Sequence, residues 1–202
     1  HTGVFKGDYR FMGNQRLQHS SITDKPYSTF GLSADARDKL IKNLGLGIQF
    51  LHDVAGQSKF RTVQLQVSGS YRWNFLSNNE KHAIVPGIQI GFIHRNIQYE
   101  NLSYDNQYNG FYYDQSLDPG ESYPIYKFTN LSLNSGVLYE YKESDRNWIR
   151  GGVGFFNMTQ PKQSLFENDA IVRDFRTTVT AQANWELDWY WDIIPEVMLS
   201  FQ

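Results

Sequence analysis

Histidine is the first place to look for chemistry, and the chain has five: His1, His19, His52, His82 and His94. They are scattered, with no i, i+4 pair and no HExxH stretch, the spacing that sets two imidazoles on one helix face around a metal. They read as rim or turn residues. The chain has no cysteine, which removes disulfides, thiolate metal sites and thiol nucleophiles together. No GxSxG elbow, phosphate-binding Walker loop or dinucleotide fingerprint occurs. Gly151-Gly152-Val153-Gly154 is glycine-rich, but a phosphate cradle opens a helix and this stretch is strand-like. Glycine there lets a strand bend or keeps an interior open. Glu186 and Asp188 stand at i, i+2 and have the form of a carboxylate pair for acid–base work; among aromatics at a strand end they read as lumen or rim charges. Asp105-Asn106-Gln107 with Asp114 offers the oxygen ligands calcium takes, but the spacing fits no calcium loop. No catalytic, cofactor-binding or metal-ligating set emerges, and no cofactor is expected.

The segment 96–127 is distinctive in another way. It carries Tyr99, Tyr104, Tyr108, Phe111, Tyr112, Tyr113, Tyr123 and Tyr126 among Asn, Asp and Ser. Tyrosine mixed with small polar residues suits protein recognition, because it offers large contact area at low entropic cost. Tyr108, Phe111, Tyr112 and Tyr113 are the expected partner-binding residues. A loop folded back over the mouth of its own barrel is the other reading.

The elements that must position these residues are strands. From Val63 to Phe75 the odd positions read Val63, Leu65, Val67, Gly69, Tyr71, Trp73 and Phe75, and the even ones Gln64, Gln66, Ser68, Ser70, Arg72 and Asn74. A period of two with no exception belongs to a strand with two different faces, here expected over 60–75. The pattern recurs over 175–189, with Val179, Ala181, Trp185 and Leu187 facing Thr178, Thr180, Gln182 and Asn184. Leu131, Leu133, Val137, Tyr139 and Tyr141 repeat it opposite Asn130, Ser132, Asn134 and Glu140. Leu44, Leu46, Ile48 and Phe50 do so too, as do Ile84, Ile88, Ile90 and Phe92, interrupted by Pro86. Weaker alternation covers about 7–18, 29–37, 148–160 and 193–202. About nine strands and no helix are predicted.

Several of these strands run past a dozen residues, where about 5–6 is usual. At about 3.3 Å per residue such a strand crosses a hydrocarbon core when tilted. The connections fall near 19–28, 38–42, 55–59, 76–81, 96–127, 142–147, 161–172 and 190–192. The long ones are the first, fifth and seventh, and every even-numbered one is short. One rim of long loops and one of tight turns is the plan of an outer-membrane barrel.

Composition agrees. Of 202 residues, 16% are aromatic and 20% charged, with a net charge of −2. That balance gives no strong attraction to nucleic acid. Mean hydropathy is −0.54, and no run approaches the roughly 20 apolar residues of a membrane helix. Lys6, Lys25, Lys39, Lys42, Lys59, Lys81, Lys127, Lys142 and Lys162 all fall in connections or at strand ends. A soluble sandwich or soluble barrel would spread lysine along its solvent face. Lysine at the lipid midplane costs about 2–4 kcal/mol and little near the interfaces. The expected fold is therefore an all-β antiparallel transmembrane β-barrel with aliphatic and aromatic residues outside and Gln, Asn, Ser and Thr inside. The segment 195–202 alternates with no strand after it, so residues 1–202 are expected to form a single domain that is part of a larger barrel.

A family resemblance adds to this. His1-Thr2-Gly3-Val4-Phe5-Lys6-Gly7-Asp8-Tyr9-Arg10, then Gly13-Asn14-Gln15-Arg16, resembles the opening of the PorP/SprF family, outer-membrane proteins of the type IX secretion and gliding-motility machinery of Bacteroidetes. His52-Asp53-Val54-Ala55-Gly56 with Gly69-Ser70-Tyr71-Arg72 is similar to the family's Asp-x-x-Gly turn and following strand. Gly152 through Ser164 resembles its Gly-x-x-x-x-His-x-x-Gln-Pro-x-x-Ser stretch, with Phe156 or Asn157 where histidine is often found; a role of that histidine does not carry over. Ile194-Pro195 through Ser200-Phe201-Gln202 resembles its proline-led strand ending in Gln. The likeness runs along essentially the whole chain. It implies a barrel of fourteen strands with a non-enzymatic role. It also implies a role at the outer membrane in secreting or anchoring surface adhesins through their C-terminal sorting domains, or in linking the membrane to other type IX secretion components. A porin or small-solute transporter is the alternative, and outer-membrane lipid is a partner in either case.

Overall fold

The computed structural model describes residues 2, 7–19, 21, 26–56, 58–75, 81–99, 102–121, 126–163 and 172–202. Its strands are β1 (Tyr9–Gln18), β2 (Tyr27–Arg37), β3 (Leu44–Ala55), β4 (Phe60–Tyr71), β5 (Trp73–Asn74), β6 (His82–Asn96), β7 (Lys127–Lys142), β8 (Trp148–Phe156), β9 (Arg176–Glu186), β10 (Asp192–Ile193) and β11 (Glu196–Phe201). They make one sheet in which each long strand pairs antiparallel with its neighbour in sequence. The longest, β6 and β7, are 15 and 16 residues and pair from Asn96 against Lys127 to His82 against Tyr141. No α-helix occurs among the described residues. The nine predicted strands are present, with β5 and β10 as two-residue pieces beside them. β1 and β11 stand at the two edges with no pairing between them among the described residues, so the sheet is open.

The sheet shelters its polar face. Asp35, Thr62, Gln66, Ser132, Asn134, Glu140, Thr178 and Asn184 are buried, while Val67, Ile88, Ile90, Phe92, Leu131, Val137 and Val179 are exposed. This reverses the arrangement of a water-soluble domain, where large contiguous apolar patches are rare. The sorting predicted from alternation holds along β4, β6, β7 and β9, with several apolar exceptions on the polar face, Phe128 among them. Val85 and Leu138 form a small buried apolar pair on the otherwise polar face, and Ile93 joins that face higher up.

Small residues occupy one level of the inner wall. Gly45, Ser70, Gly87, Gly136, Gly154, Thr178 and Ser200 are successive partners across β3, β4, β6, β7, β8, β9 and β11. Ser70, Gly87, Gly136, Gly154 and Thr178 line a cavity of about 220 Å³ there. The glycine-rich stretch around Gly152 is strand, as predicted, and keeps this space clear.

Three strand boundaries differ from the alternation. The strand predicted over 60–75 breaks at Arg72, although β4 and β5 keep one register against β6. That register sets Tyr71 against Pro86, which has no N–H to give, while the Arg72 N–H, facing β3, donates to the Asn43 carbonyl at 2.8 Å. Pro86 itself does not interrupt β6, contrary to the sequence reading. The strand expected to reach Gln160 ends at Phe156, because Asn157 turns into the left-handed region at φ +57°. The strand expected to reach Trp189 ends at Glu186, where a turn begins.

The rims follow the predicted plan. The described connections at 97–121 and 157–163 lie at the same end, and those at 38–43, 143–147 and 187–191 at the other. Lys39, Lys42, Lys59, Lys81 and Lys162 lie in connections, and Lys127 and Lys142 are the first and last residues of β7. Lys6, Lys25, His1 and Tyr123 lie outside the described residues.

Candidate functional site

The inner wall is knit by side chains that cross intervening strands. Gln66 Nε2 on β4 donates to Ser132 Oγ on β7 at 3.1 Å, passing over Gly91 on β6, where a Cβ would collide with the Leu65 carbonyl and with Gln66. A second line runs sideways. Gln89 Nε2 donates to Gln49 Oε1 at 3.3 Å, Asn134 Nδ2 to Gln89 Oε1 at 2.9 Å, and the Asn157 N–H to Asn134 Oδ1 at 3.0 Å. Asn157 Nδ2 then reaches the Asp174 carbonyl at 3.0 Å, just before β9. Buried polar groups satisfied in this way fix the relative positions of their strands.

Charge on the inner wall is paired at the short-turn end. Glu140, 2% exposed, accepts from Arg72 Nη1 and Arg150 Nε, each at 2.5 Å. The Arg150 guanidinium lies 4.0 Å from the centre of the Trp148 ring. Arg10 pairs with Asp35 at 2.5 Å on β1 and β2. At the rim, Arg146 donates to Glu186 and Asp192, both at 2.6 Å, and to the carbonyls of Asp188 and Trp189 at 2.8 and 3.3 Å. That clasp holds the turn on which Trp189, Tyr190 and Trp191 are exposed. Glu186 is thus an ion-pair partner and Asp188 caps the Trp189 N–H, so the two carboxylates do not act on one centre.

The loop between β6 and β7 is a built unit. A 3-10 turn, Asp105–Gln107, places the Gln107 side chain inside it. Buried to 5% exposure, Gln107 donates to the Leu117 carbonyl at 3.1 Å and accepts from the Tyr113 hydroxyl at 2.8 Å. Tyr108 and Tyr113 pair as a two-residue ladder around the tip. There Asn109 Oδ1 accepts the N–H groups of Phe111 and Tyr112 at 3.0 and 3.1 Å, and Gly110 takes φ +96°, a conformation glycine adopts without strain. The result projects Phe111, 91% exposed, and Tyr112 away from the loop body. The four aromatics singled out in the sequence therefore divide. Phe111 and Tyr112 are displayed at the tip, while Tyr108 and Tyr113 form its stem. Gln107, the residue that organises the loop, gives no signal in the sequence, since its partners are brought to it only by the fold.

Asp114, considered above as a calcium ligand, is occupied within the loop. Its carboxylate accepts the Ser116 hydroxyl at 2.6 Å and the Ser116 N–H at 3.0 Å, which hold it below its ordinary pKa. Among the described residues no group of three or more His, Cys, Asp or Glu side chains could hold a metal ion. His82 and His94 face outward, against Tyr139 Oη and Thr129 Oγ1, both at 2.8 Å. His19 lies in a turn and His52 near the end of β3.

An antiparallel sheet with a lipid-like outer face, a hydrogen-bonded polar inner wall and one aromatic display loop defines a β-stranded membrane protein. Comparison with protein families gives the particular one: residues 2–202 match PorP_SprF, described as type IX secretion system membrane protein PorP/SprF. The chain belongs to that family, as its motifs indicated. No curated protein and no solved structure matches it.

Proposed function

We propose that the protein is a non-enzymatic outer-membrane component of the type IX secretion system. In this reading its strands belong to a closed transmembrane barrel, and its long loop receives a secreted surface protein such as an adhesin, through that protein's C-terminal sorting domain. The observation that carries the reading is the braced tip, where Gln107 and Asn109 hold Phe111 and Tyr112 in the open. A preorganised exposed aromatic pair loses little entropy on binding, and such residues dominate interface energetics. Replacing both with alanine should weaken capture by at least about 2 kcal/mol, roughly thirty-fold in Kd. The test is to delete residues 104–116, or to make Phe111→Ala with Tyr112→Ala, and follow adhesin export and surface retention at unchanged barrel abundance. An adhesin still exported and retained refutes the reading.

The Gln, Asn, Ser and Thr of the inner wall, beside the cavity at the small-residue level, favour a second reading, a porin or small-solute transporter. Steady conductance of the purified protein in planar bilayers is its expected outcome, and a silent barrel removes it.

A further inference from the structure

The two ends of the inner wall treat arginine differently. At the short-turn end Arg10, Arg72 and Arg150 each have a carboxylate. At the long-loop end Arg95 and Arg176 lie on the sheltered face, with Arg173 between them in the segment leading into β9. Among the described residues none of the three forms an ion pair. Arg95 and Arg173 are near enough to repel, and so are Arg173 and Arg176, which makes Arg173 the link between the other two. Arg95 lies 5.9 Å from the Phe128 ring and Arg176 4.6 Å from the Phe156 ring. The polar contact of Arg95 is to a neutral group, Gln163 Oε1, at 3.0 Å. The Nε of Arg95 and that of Arg176 are both buried without a hydrogen-bond partner.

This arrangement is costly unless something completes it. A lysine could shed its proton on burial, but a guanidinium stays charged at any ordinary pH. Ring faces orient the guanidinium planes of Arg95 and Arg176 but offer no oxygen acceptor to their N–H groups. The unmet need is for oxygen acceptors carrying negative charge, and the fork of an arginine matches a carboxylate or a phosphate.

We propose that Arg95, Arg173 and Arg176 form an oxyanion site on the inner face at the long-loop end, for carboxylate or phosphate groups entering from the lumen. Because Arg95 and Arg176 point away from the apolar face, headgroups of the surrounding lipid do not reach the site. Its ligand is a small solute anion or an acidic stretch of polypeptide inside the barrel. The inference stands apart from the loop reading above, since neither shares a residue with the other.

The test is titration calorimetry on the full-length protein in detergent, with inorganic phosphate in one arm and triglutamate in the other, against sodium chloride at equal ionic strength. Binding of either ligand, weakened at least ten-fold by Arg95→Gln and by Arg176→Gln but unchanged by the outward-facing Arg61→Gln, is the expected result, and the stronger arm names the source. Arg95→Lys, which keeps the charge and loses the fork, should bind with intermediate affinity and guards against a folding failure of Arg95→Gln. Binding no stronger than chloride, or binding indifferent to the glutamine variants, overturns the proposal. So does a response seen only in a Glu167→Gln, Asp169→Asn variant, because acids of the chain itself would then occupy the arginines.

Discussion

Asn157 illustrates how a single side chain serves several elements at once. Its backbone adopts the left-handed conformation that asparagine tolerates better than most residues. That turn ends β8, aims the backbone N–H at Asn134 on β7 and lets the side-chain amide reach the Asp174 carbonyl before β9. Asn157→Ala keeps the backbone N–H bond to Asn134 but loses the amide. It leaves the Asp174 carbonyl without this donor and adds strain at φ +57°. The lost hydrogen bond costs about 0.5–1.5 kcal/mol, and the strain adds about 1 kcal/mol. Asn157→Gly relieves the strain but not the lost bond, so it should be destabilised by less than the alanine variant. Urea unfolding in detergent reads both, and equal losses in the two would remove the conformational part of the argument. Sequence motifs marked 157 as the place of an expected histidine. They gave no sign that asparagine there is a clasp, because both its partners lie more than a dozen residues away.

At the scale of elements, strands were legible and their ends were not. Period-two alternation is local, so β4, β6, β7 and β9 show themselves in sequence. The break at Arg72 arises from a proline on the neighbouring strand, which a single segment does not reveal. The loop between β6 and β7 divides the same way. Its aromatics are visible in the sequence, whereas Gln107 and Asp114 acquire their roles only once the loop has closed on itself. Asp114 permits a direct test of that closure. Ser116 donates to its carboxylate through hydroxyl and N–H, which lowers the pKa below the ordinary 3.8. A group depressed in this way stabilises the loop fully above 3.8 and loses its contribution as pH falls through the lower, folded value. The Ser116 amide resonance should therefore be constant from pH 8 to about 4 and shift with a midpoint under 3.8. A midpoint at or above 3.8 would mean that the turn does not form in solution.

For the whole molecule the decisive property is which face meets the surroundings. Exposed Val67, Ile88, Ile90, Phe92, Leu131 and Val137 lie on neighbouring strands at similar heights, while the lysines described in the structure keep to turns and strand ends. Water would oppose that distribution, since each of these side chains loses about 1.5–3 kcal/mol by being left exposed. Hydrocarbon favours it, because the aliphatic face then has an apolar solvent and the backbone groups between paired strands are met within the sheet. The two environments give opposite answers to one substitution. Ile90 lies near the middle of β6 on the outer face, and Thr129 sits on the same face close to the loop end of β7. In a bilayer, Ile90→Lys should cost about 2–4 kcal/mol and Thr129→Lys about 0–1 kcal/mol, measured by reversible folding into lipid vesicles. If the apolar face were a water-exposed surface, Ile90→Lys would instead improve solubility without loss of stability. A lysine at Ile90 that is tolerated as well as one at Thr129 would place that face in water and overturn the membrane reading of the sheet.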